Sequence, residues 1–310
     1  MIWNEFVAAS KNATFLFHRD FMEYHQNRFE DYSLLIFKDK TLVALLPANK
    51  VGDTVYSHKG LTYGGLILEA KTKFRDVLEA FKTLLKWMHA NAVNHFELKF
   101  LPAIYAKNPN DELSYVVFKG QGKLIRRDIL SVLHPKDLKL SRDRKNGVKR
   151  AVKLGLVIKE TQDFDLFWNQ ILIPNLKRKH NAKPVHTLEE ITYLKSKFPM
   201  QIRQFNVYLD GEIVAGTTIF ESDNVAHSQY ISGNSKKNIL GSLDILHHFL
   251  LTEVFDDKAY FDFGISNENQ GQNINEGLLY WKEGFGARSQ TQSFYRLETK
   301  NYINLENVML

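Results

Sequence analysis

The sequence predicts an α/β protein whose plan occurs twice, and three observations carry that prediction. Strand-type and helix-type segments alternate along the chain, their order is the same in both halves, and each half places a short apolar strand after a long helix. In the first half, residues 33–37 and 41–47 are apolar strands joined by Lys38-Asp39-Lys40, a hairpin turn. A third strand at 55–58 leads into a glycine-rich loop at 60–65, a helix over about 72–90 and a strand at 95–100 that stops before Pro102. In the second half, strands at 203–209 and 213–221 flank Asp210-Gly211, a third follows at 225–232, and the loop 233–238 leads to a helix over about 242–255 and a strand at 260–263. Turn to final strand spans 57 residues in the first half (Asp39 to Phe96) and 51 in the second (Asp210 to Phe261).

Between the halves, Pro135 interrupts the chain ahead of a basic helix at 136–154, which sets the expected domains at 1–134 and 135–310. A helix over about 163–180 carries Phe164, Phe167, Trp168, Ile171 and Leu172 on one face. Another opens at Thr187 with Glu190 three residues on, the pattern of a capping box. The last predicted unit runs from Tyr260 to Arg288. Gly264 ends its strand, an Asn- and Gln-rich loop follows, and a short helix reaches Lys282 before Gly284-Phe285-Gly286.

Composition narrows the function. At 310 residues and 44% hydrophobic content, the chain has enough apolar material for two packed domains. It has no cysteine, which excludes disulfides, thiolate–zinc and iron–sulfur sites and a cysteine nucleophile. It has no run of 18 apolar residues, and its first residues carry acidic and polar side chains where a signal peptide is basic and then apolar, so the expected location is the cytoplasm. The net charge of +6 sits in one place. Residues 136–153 hold eight basic side chains against Asp137 and Asp143, which accounts for the whole excess. Such a helix suits an anionic partner, a phosphate or nucleotide above all, and equally a solvated helix face.

Three groups of residues can carry chemistry. Asp262 is an acid set among aromatics at a strand end, and Glu276 lies in the first turn of the helix after it. Either can hold or deprotonate an amine, and either can serve as a local cap. Gly241-Ser242 opens a helix behind a loop with Lys236 and Lys237, an arrangement competent for phosphate. His58, Tyr63 and Gly64 belong to the first-half loop, where glycine permits close approach of a ligand to the backbone. His247-His248 has no carboxylate at metal-ligand spacing, no His-Glu-x-x-His, Walker or Gly-x-Ser-x-Gly string occurs, and no metal is expected.

Hairpin, third strand, loop, helix, strand and short helix is the layout of the GNAT acyltransferases. Tyr280-Trp281-Lys282-Glu283-Gly284-Phe285 is similar to that superfamily's closing motif, a tyrosine four residues before a Gly-Phe pair. The doubled plan resembles the FemAB-like branch, with two tandem GNAT-like domains, each a mixed, mostly antiparallel sheet flanked by helices. The Gly60–Gly65 loop, the basic helix with Arg144, Lys145, Gly147 and Arg150, and Phe261-Asp262-Phe263-Gly264 followed by Asn275-Glu276-Gly277-Leu278 fit that branch. The resemblance implies N-acyl transfer from an acyl-CoA to a primary amine, with Asp262, Glu276 and Tyr280 catalytic and Tyr280 as the acid. It places His58, Tyr63, Gly64, Lys145, Arg150 and Tyr230 on the acceptor, and Ser232, Lys236, Lys237, Gly241 and Ser242 on the donor. Two departures shape the reading. The string Arg/Gln-x-x-Gly-x-Gly/Ala is absent from 230–241, and no heptad hairpin of the kind found in tRNA-dependent members occurs. The expected acceptor is therefore a small anionic molecule, first a nucleotide-linked amino sugar of cell-surface polysaccharide synthesis. A Fem-type aminoacyltransferase using aminoacyl-tRNA and a non-catalytic GNAT-fold binding module are the alternatives. No membrane partner is expected, nucleic acid only as tRNA under the first alternative, and a homodimer stays open.

Overall fold

The structure, a computed structural model, describes residues 2–309. In chain order, α1 (Ile2–Ala9) and α2 (Arg19–Met22) precede β1 (Glu30–Asp31), β2 (Leu34–Lys38), β3 (Thr41–Leu46), β4 (Asn49–Val51), β5 (Thr54–Tyr56) and β6 (Ile67–Leu68). Then come α3 (Phe74–Ala90), β7 (His95–Lys99), α4 (Glu112–Lys119), β8 (Lys123–Leu133), α5 (Arg142–Lys153), β9 (Val157–Thr161), α6 (Ile173–His180) and α7 (Leu188–Lys197). The remainder is β10 (Ile202–Leu209), β11 (Glu212–Glu221), β12 (Val225–Gly233), α8 (Lys237–Leu240), α9 (Ser242–Phe249), β13 (Tyr260–Ile265), a small hairpin of β14 (Asn267–Glu268) and β15 (Asn273–Ile274), α10 (Glu276–Glu283) and β16 (Arg288–Glu298).

These elements gather into two compact units. The first holds the described residues up to Asp128 together with those from Thr291 onwards. Its main sheet runs β1-β4-β5-β7-β16, with β5 and β7 parallel and the other pairs antiparallel. The hairpin β2/β3 joins β6 in a separate antiparallel sheet. Val77, Leu78, Phe81, Leu84, Leu85 and Met88 recur at helical spacing on α3 and pack on Val55, Phe96, Leu98 and Leu297. Each such buried side chain contributes about 2 kcal/mol relative to exposure.

The second unit is Ile129–Gln290. Its sheet runs from the end of β8 through β13, β12, β11 and β10 to β9, again with one parallel pair, β12 and β13. Here the hairpin β10/β11 is continuous with the parallel pair, unlike β2/β3 in the first unit. Leu243 and Leu246 on α9, with Leu250 in the π-helical turn that follows it, pack against Phe205, Ala226, Phe261 and Phe263. The basic helix starts at Arg142, not 136, because Pro135–Asp137 forms a 3-10 turn and the next residues are tied across to the turn after α10 (Lys139 N–H to Phe285 O, 3.2 Å; Ser141 N–H to Gly284 O, 2.7 Å). Ser141 then caps α5 by accepting from the Arg144 N–H. The helix expected over 163–180 is π-helical at Phe167–Leu172, which turns Phe167, Trp168, Ile171 and Leu172 all inward. Thr187 and Glu190 form the capping box reciprocally. Among the described residues, no helix is long and apolar enough to cross a membrane.

Candidate active site

The parallel ladder of the second unit is short. Val225 pairs with Tyr260, Ala226 with Phe261 and His227 with Asp262, and the register ends there. Beyond it, β12 continues to Gly233 in pairing with β11. β13 bends instead. Gly264 sits at φ +75°, and a bulge against β8 falls between Asp262 and Ile265. Asp262 Oδ1 accepts from the Gly264 N–H at 2.7 Å, and Lys282 Nζ from α10 donates to the Gly264 and Ile265 carbonyls at 2.8 and 2.7 Å. A carboxylate before the bend and an ammonium behind it hold the strand apart from β12. Parted parallel strands leave ladder groups for a ligand at their carboxyl ends, where α/β sheets bind substrates.

The side chains at this fork form a polar cluster in an apolar core. Asp262 is fully buried, and its Oδ2 lies 3.1 Å from His227 Nδ1. A carboxylate at Nδ1 fixes the proton there and leaves Nε2 as the basic nitrogen. His227 keeps 13% of its side chain exposed while Asp262 keeps none. Lys282 is 1% exposed; burial pulls its ammonium down to about 8 against the opposing pull of Asp262.

The other acids expected in the site lie on the exposed side of α10. Glu276 is the first residue of the helix and solvent-facing; Asn275 supplies the cap, accepting from the Leu278 N–H. Tyr280 is 58% exposed and donates to Asp143 Oδ2 on α5 at 2.8 Å, a bond that raises the phenol above its ordinary range. Trp281 Nε1 donates to Asp244, which also receives the Arg144 guanidinium at 2.5 Å. Asp244 is raised by burial, with Arg144 pulling the other way. That buried cluster fastens the basic helix to α9 and α10.

The residues expected on the ligand divide between the units. Lys145 is exposed on α5, whereas Arg150 donates to the Asn238 and Ile239 carbonyls at 2.9 and 3.0 Å and so braces α8. Tyr230 is buried; its hydroxyl accepts from the His186 N–H and its ring meets Trp168 edge-on. Ser232 Oγ accepts from Asn175, and Lys236 is exposed. Lys237 is lowered to about 8 by burial and by the nearby Lys179 and Arg178. Gly241, at φ +70°, caps α9 so close to Gly147 that any Cβ would strike the Gly147 carbonyl, and Ser242 is fully buried beside it. His58, Tyr63 and Gly64 belong to the first unit. Tyr63 is buried with its hydroxyl 2.9 Å from Thr14 Oγ1, and Gly64 leaves no space for a Cβ beside the Ser57 carbonyl. Sequence reasoning missed His227 and Lys282. A histidine inside the alternating strand Val225-Ala226-His227-Ser228 was the available signal; Lys282 reads as a surface lysine. Among the described residues, no group of three His, Asp or Glu side chains could hold a metal ion.

By sequence, no protein-family model and no curated protein matches the chain. Solved structures do. The chain is similar to FemX over 98% of its own length and 97% of that chain, with 9% identity and a TM-score of 0.68. It is similar to the C-terminal domain of a putative lysylphosphatidylglycerol synthetase from Agrobacterium fabrum, at 9% identity and a TM-score of 0.62 over 93% of each chain. A tandem GNAT protein from the clavulanic acid biosynthesis pathway aligns over 88% of this chain and 86% of its own, at 12% identity and a TM-score of 0.50. The fold is the one these structures share, a tandem GNAT-like fold.

Proposed function

We propose that the protein is an N-acyltransferase that moves an acyl group from an acyl-CoA thioester to a primary amine, with a nucleotide-linked amino sugar as the acceptor. The observation that carries this reading is the fork between β12 and β13, with the buried Asp262–His227 pair at its apex. In the proposed reaction the acceptor ammonium gives a proton to His227 Nε2, and Asp262 stabilises the imidazolium that results. The freed amine attacks the thioester carbonyl, the C–N bond forms, and the C–S bond breaks from the tetrahedral intermediate. Tyr280 protonates the departing thiolate, and its phenolate recovers the extra proton from the adduct nitrogen, which leaves a neutral amide and a free thiol. Glu276, one turn before Tyr280 on α10, attracts the incoming ammonium. The donor phosphates meet Lys236 and Lys237, with Ser232, Gly241 and Ser242 shaping the loop, and the acceptor phosphates meet Lys145. Arg150 acts at one remove, by holding the carbonyls of α8.

A second reading is favoured by the likeness to FemX and to a protein named for lysylphosphatidylglycerol: an aminoacyl ester as donor. The chemistry at the fork is the same, with a hydroxyl leaving in place of a thiol. A screen of acyl-CoAs against nucleotide amino sugars, read by thiol release, separates them. Thiol release that requires both substrates and vanishes in Asp262→Asn supports the first reading. Absence of thiol release, with salt-sensitive binding of aminoacyl-tRNA, supports the second.

A further inference from the structure

The first unit contains a cavity of about 230 Å³ beside α2, lined by Arg19, Glu23, His25, Phe29, Asp31 and His58, with Gln26 at its exposed rim. His25 is 1% exposed, and neither of its ring nitrogens meets hydrogen-bond geometry with a described residue, although the Met22 carbonyl lies near. A Cβ on Gly60 would strike His25 Nε2, so that edge of the ring is packed on backbone. His58, 4% exposed, stands at φ +64°, a conformation that non-glycine residues adopt under local constraint. Its Nδ1 accepts from the Gly60 N–H at 3.3 Å, which leaves the proton on Nε2. The two rings are 5.0 Å apart, with Tyr24 stacked on His25 at 4.1 Å and Phe29 edge-on to it at 4.9 Å. Gly60 packs so tightly on His25 that no Cβ fits, so the ring is held in place.

The lining selects the ligand by charge. Arg19 is already bonded to Glu23 at 2.9 Å and Asp31 at 2.8 Å, two carboxylates on one guanidinium, so an anion finds no unneutralised cation among the lining residues. Burial holds His25 down to about 4 and His58 to about 3, so both rings are neutral near pH 7, and His58, with Nδ1 taken by the Gly60 N–H, offers its Nε2–H as a donor. The volume lies below the ~300 Å³ at which pockets begin to hold drug-sized ligands, which excludes a whole nucleotide.

We propose that this cavity binds an uncharged, polyhydroxylated ring of monosaccharide size, its hydroxyls bonding His58 Nε2 and the outer carboxylate oxygens of Glu23 and Asp31 while Phe29 covers an apolar face. The site lies outside the proposed transferase centre and is read without turnover, so either reading can fail while the other stands. Saturation-transfer NMR on the full chain, with glucose and N-acetylglucosamine as probes and inorganic phosphate and methylammonium as charged controls, tests it. Saturable sugar binding that shifts the His58 ring ¹⁵N signals is the expected result. Gln26→Trp, at the exposed rim, should weaken binding at least tenfold with an unchanged thermal midpoint. No sugar signal, binding untouched by Gln26→Trp, or competition by phosphate or methylammonium would overturn the proposal.

Discussion

Each unit of this protein contains one parallel ladder of three residue pairs, and the two ladders end in opposite ways. In the first unit Thr54, Val55 and Tyr56 pair with His95, Phe96 and Glu97; in the second Val225, Ala226 and His227 pair with Tyr260, Phe261 and Asp262. Past Tyr56 the chain closes on itself. Ser57 N–H bonds the Glu97 carbonyl, Ser57 Oγ accepts from the Lys99 N–H, and the loop returns so that Gly64 N–H reaches the Lys99 carbonyl at 2.8 Å. Lys99 Nζ stitches the loop by donating to the Lys59 and Leu61 carbonyls. Past His227 the strands part, and the polar groups of Asp262 and Lys282 bend β13 away. The same local plan yields a seam in one unit and a fork in the other. The difference lies in Gly64, which lets the loop pack on Ser57, and Gly264, whose positive φ turns the strand away.

The sharpest way to break this comparison is to exchange the acids. Asp262→Asn keeps an acceptor for the Gly264 N–H but removes the charge facing His227, and the expected loss is about 10³-fold in kcat, about 4 kcal/mol. His227→Gln should match it. Glu97→Gln, at the corresponding place in the first unit and 3.7 Å from Arg296, should change turnover less than about threefold in the same thiol-release assay. Equal losses at Glu97 and Asp262 would end the idea that the fork alone is the reaction site.

Acid should expose the next largest difference. His247 is fully buried against Phe263 and Trp281, donates Nδ1–H to the Leu243 carbonyl, and is held by burial at about 4. Because its folded value lies below the ordinary 6.5, the unfolded chain takes up the proton first. Its stabilisation is therefore whole above pH 6.5 and is lost as pH falls towards 4, by about 3 kcal/mol. His25 and His58 act in the same direction in the first unit, and His58 carries that limb to about pH 3. Urea unfolding between pH 7 and pH 4 checks this, and His247→Phe should flatten the slope.

A smaller test concerns the two glycines. Gly64→Ala drives a Cβ into the Ser57 backbone and should destabilise the first unit by about 2 kcal/mol. Gly264→Ala carries the strain of positive φ, about 1 kcal/mol, and sets a Cβ 3.3 Å from the His227 ring, so it should depress turnover more than stability. Among the residues placed in the reaction, the smallest loss belongs to Tyr280→Phe. Loss of an exposed acid already bonded to Asp143 should cost about tenfold in kcat, and less with donors whose thiols are more acidic.

What the sequence made legible follows physical range. The capping box, the α3 face and the strands on either side of Asp210-Gly211 depend on neighbours within a turn or a hairpin, and they stand where spacing put them. Asp262 was legible as an acid among aromatics, but its partner was not, because His227 lies 35 residues away and meets it only through strand register. The fork was hidden for the same reason, since Lys282 holds it from a helix 17 residues on. Arg150 reads as a phosphate ligand from charge alone; its bonds to α8 carbonyls need the fold. The membership of the residues from Thr291 onwards in the first unit leaves no mark in their composition.

That last feature bears on how the chain is made. A nascent chain that has emerged as far as Gln290 contains every residue of the second unit, while the first still lacks β16. Phe294 to Glu298 have yet to pair with β7, and Leu297 and Leu305 have yet to enter the core around Phe81 and Leu98. The unit synthesised first is thus the one finished last, against the usual N-terminal-first order of domain folding. Until then the β7 edge stands open on the ribosome, a template for misplaced strands.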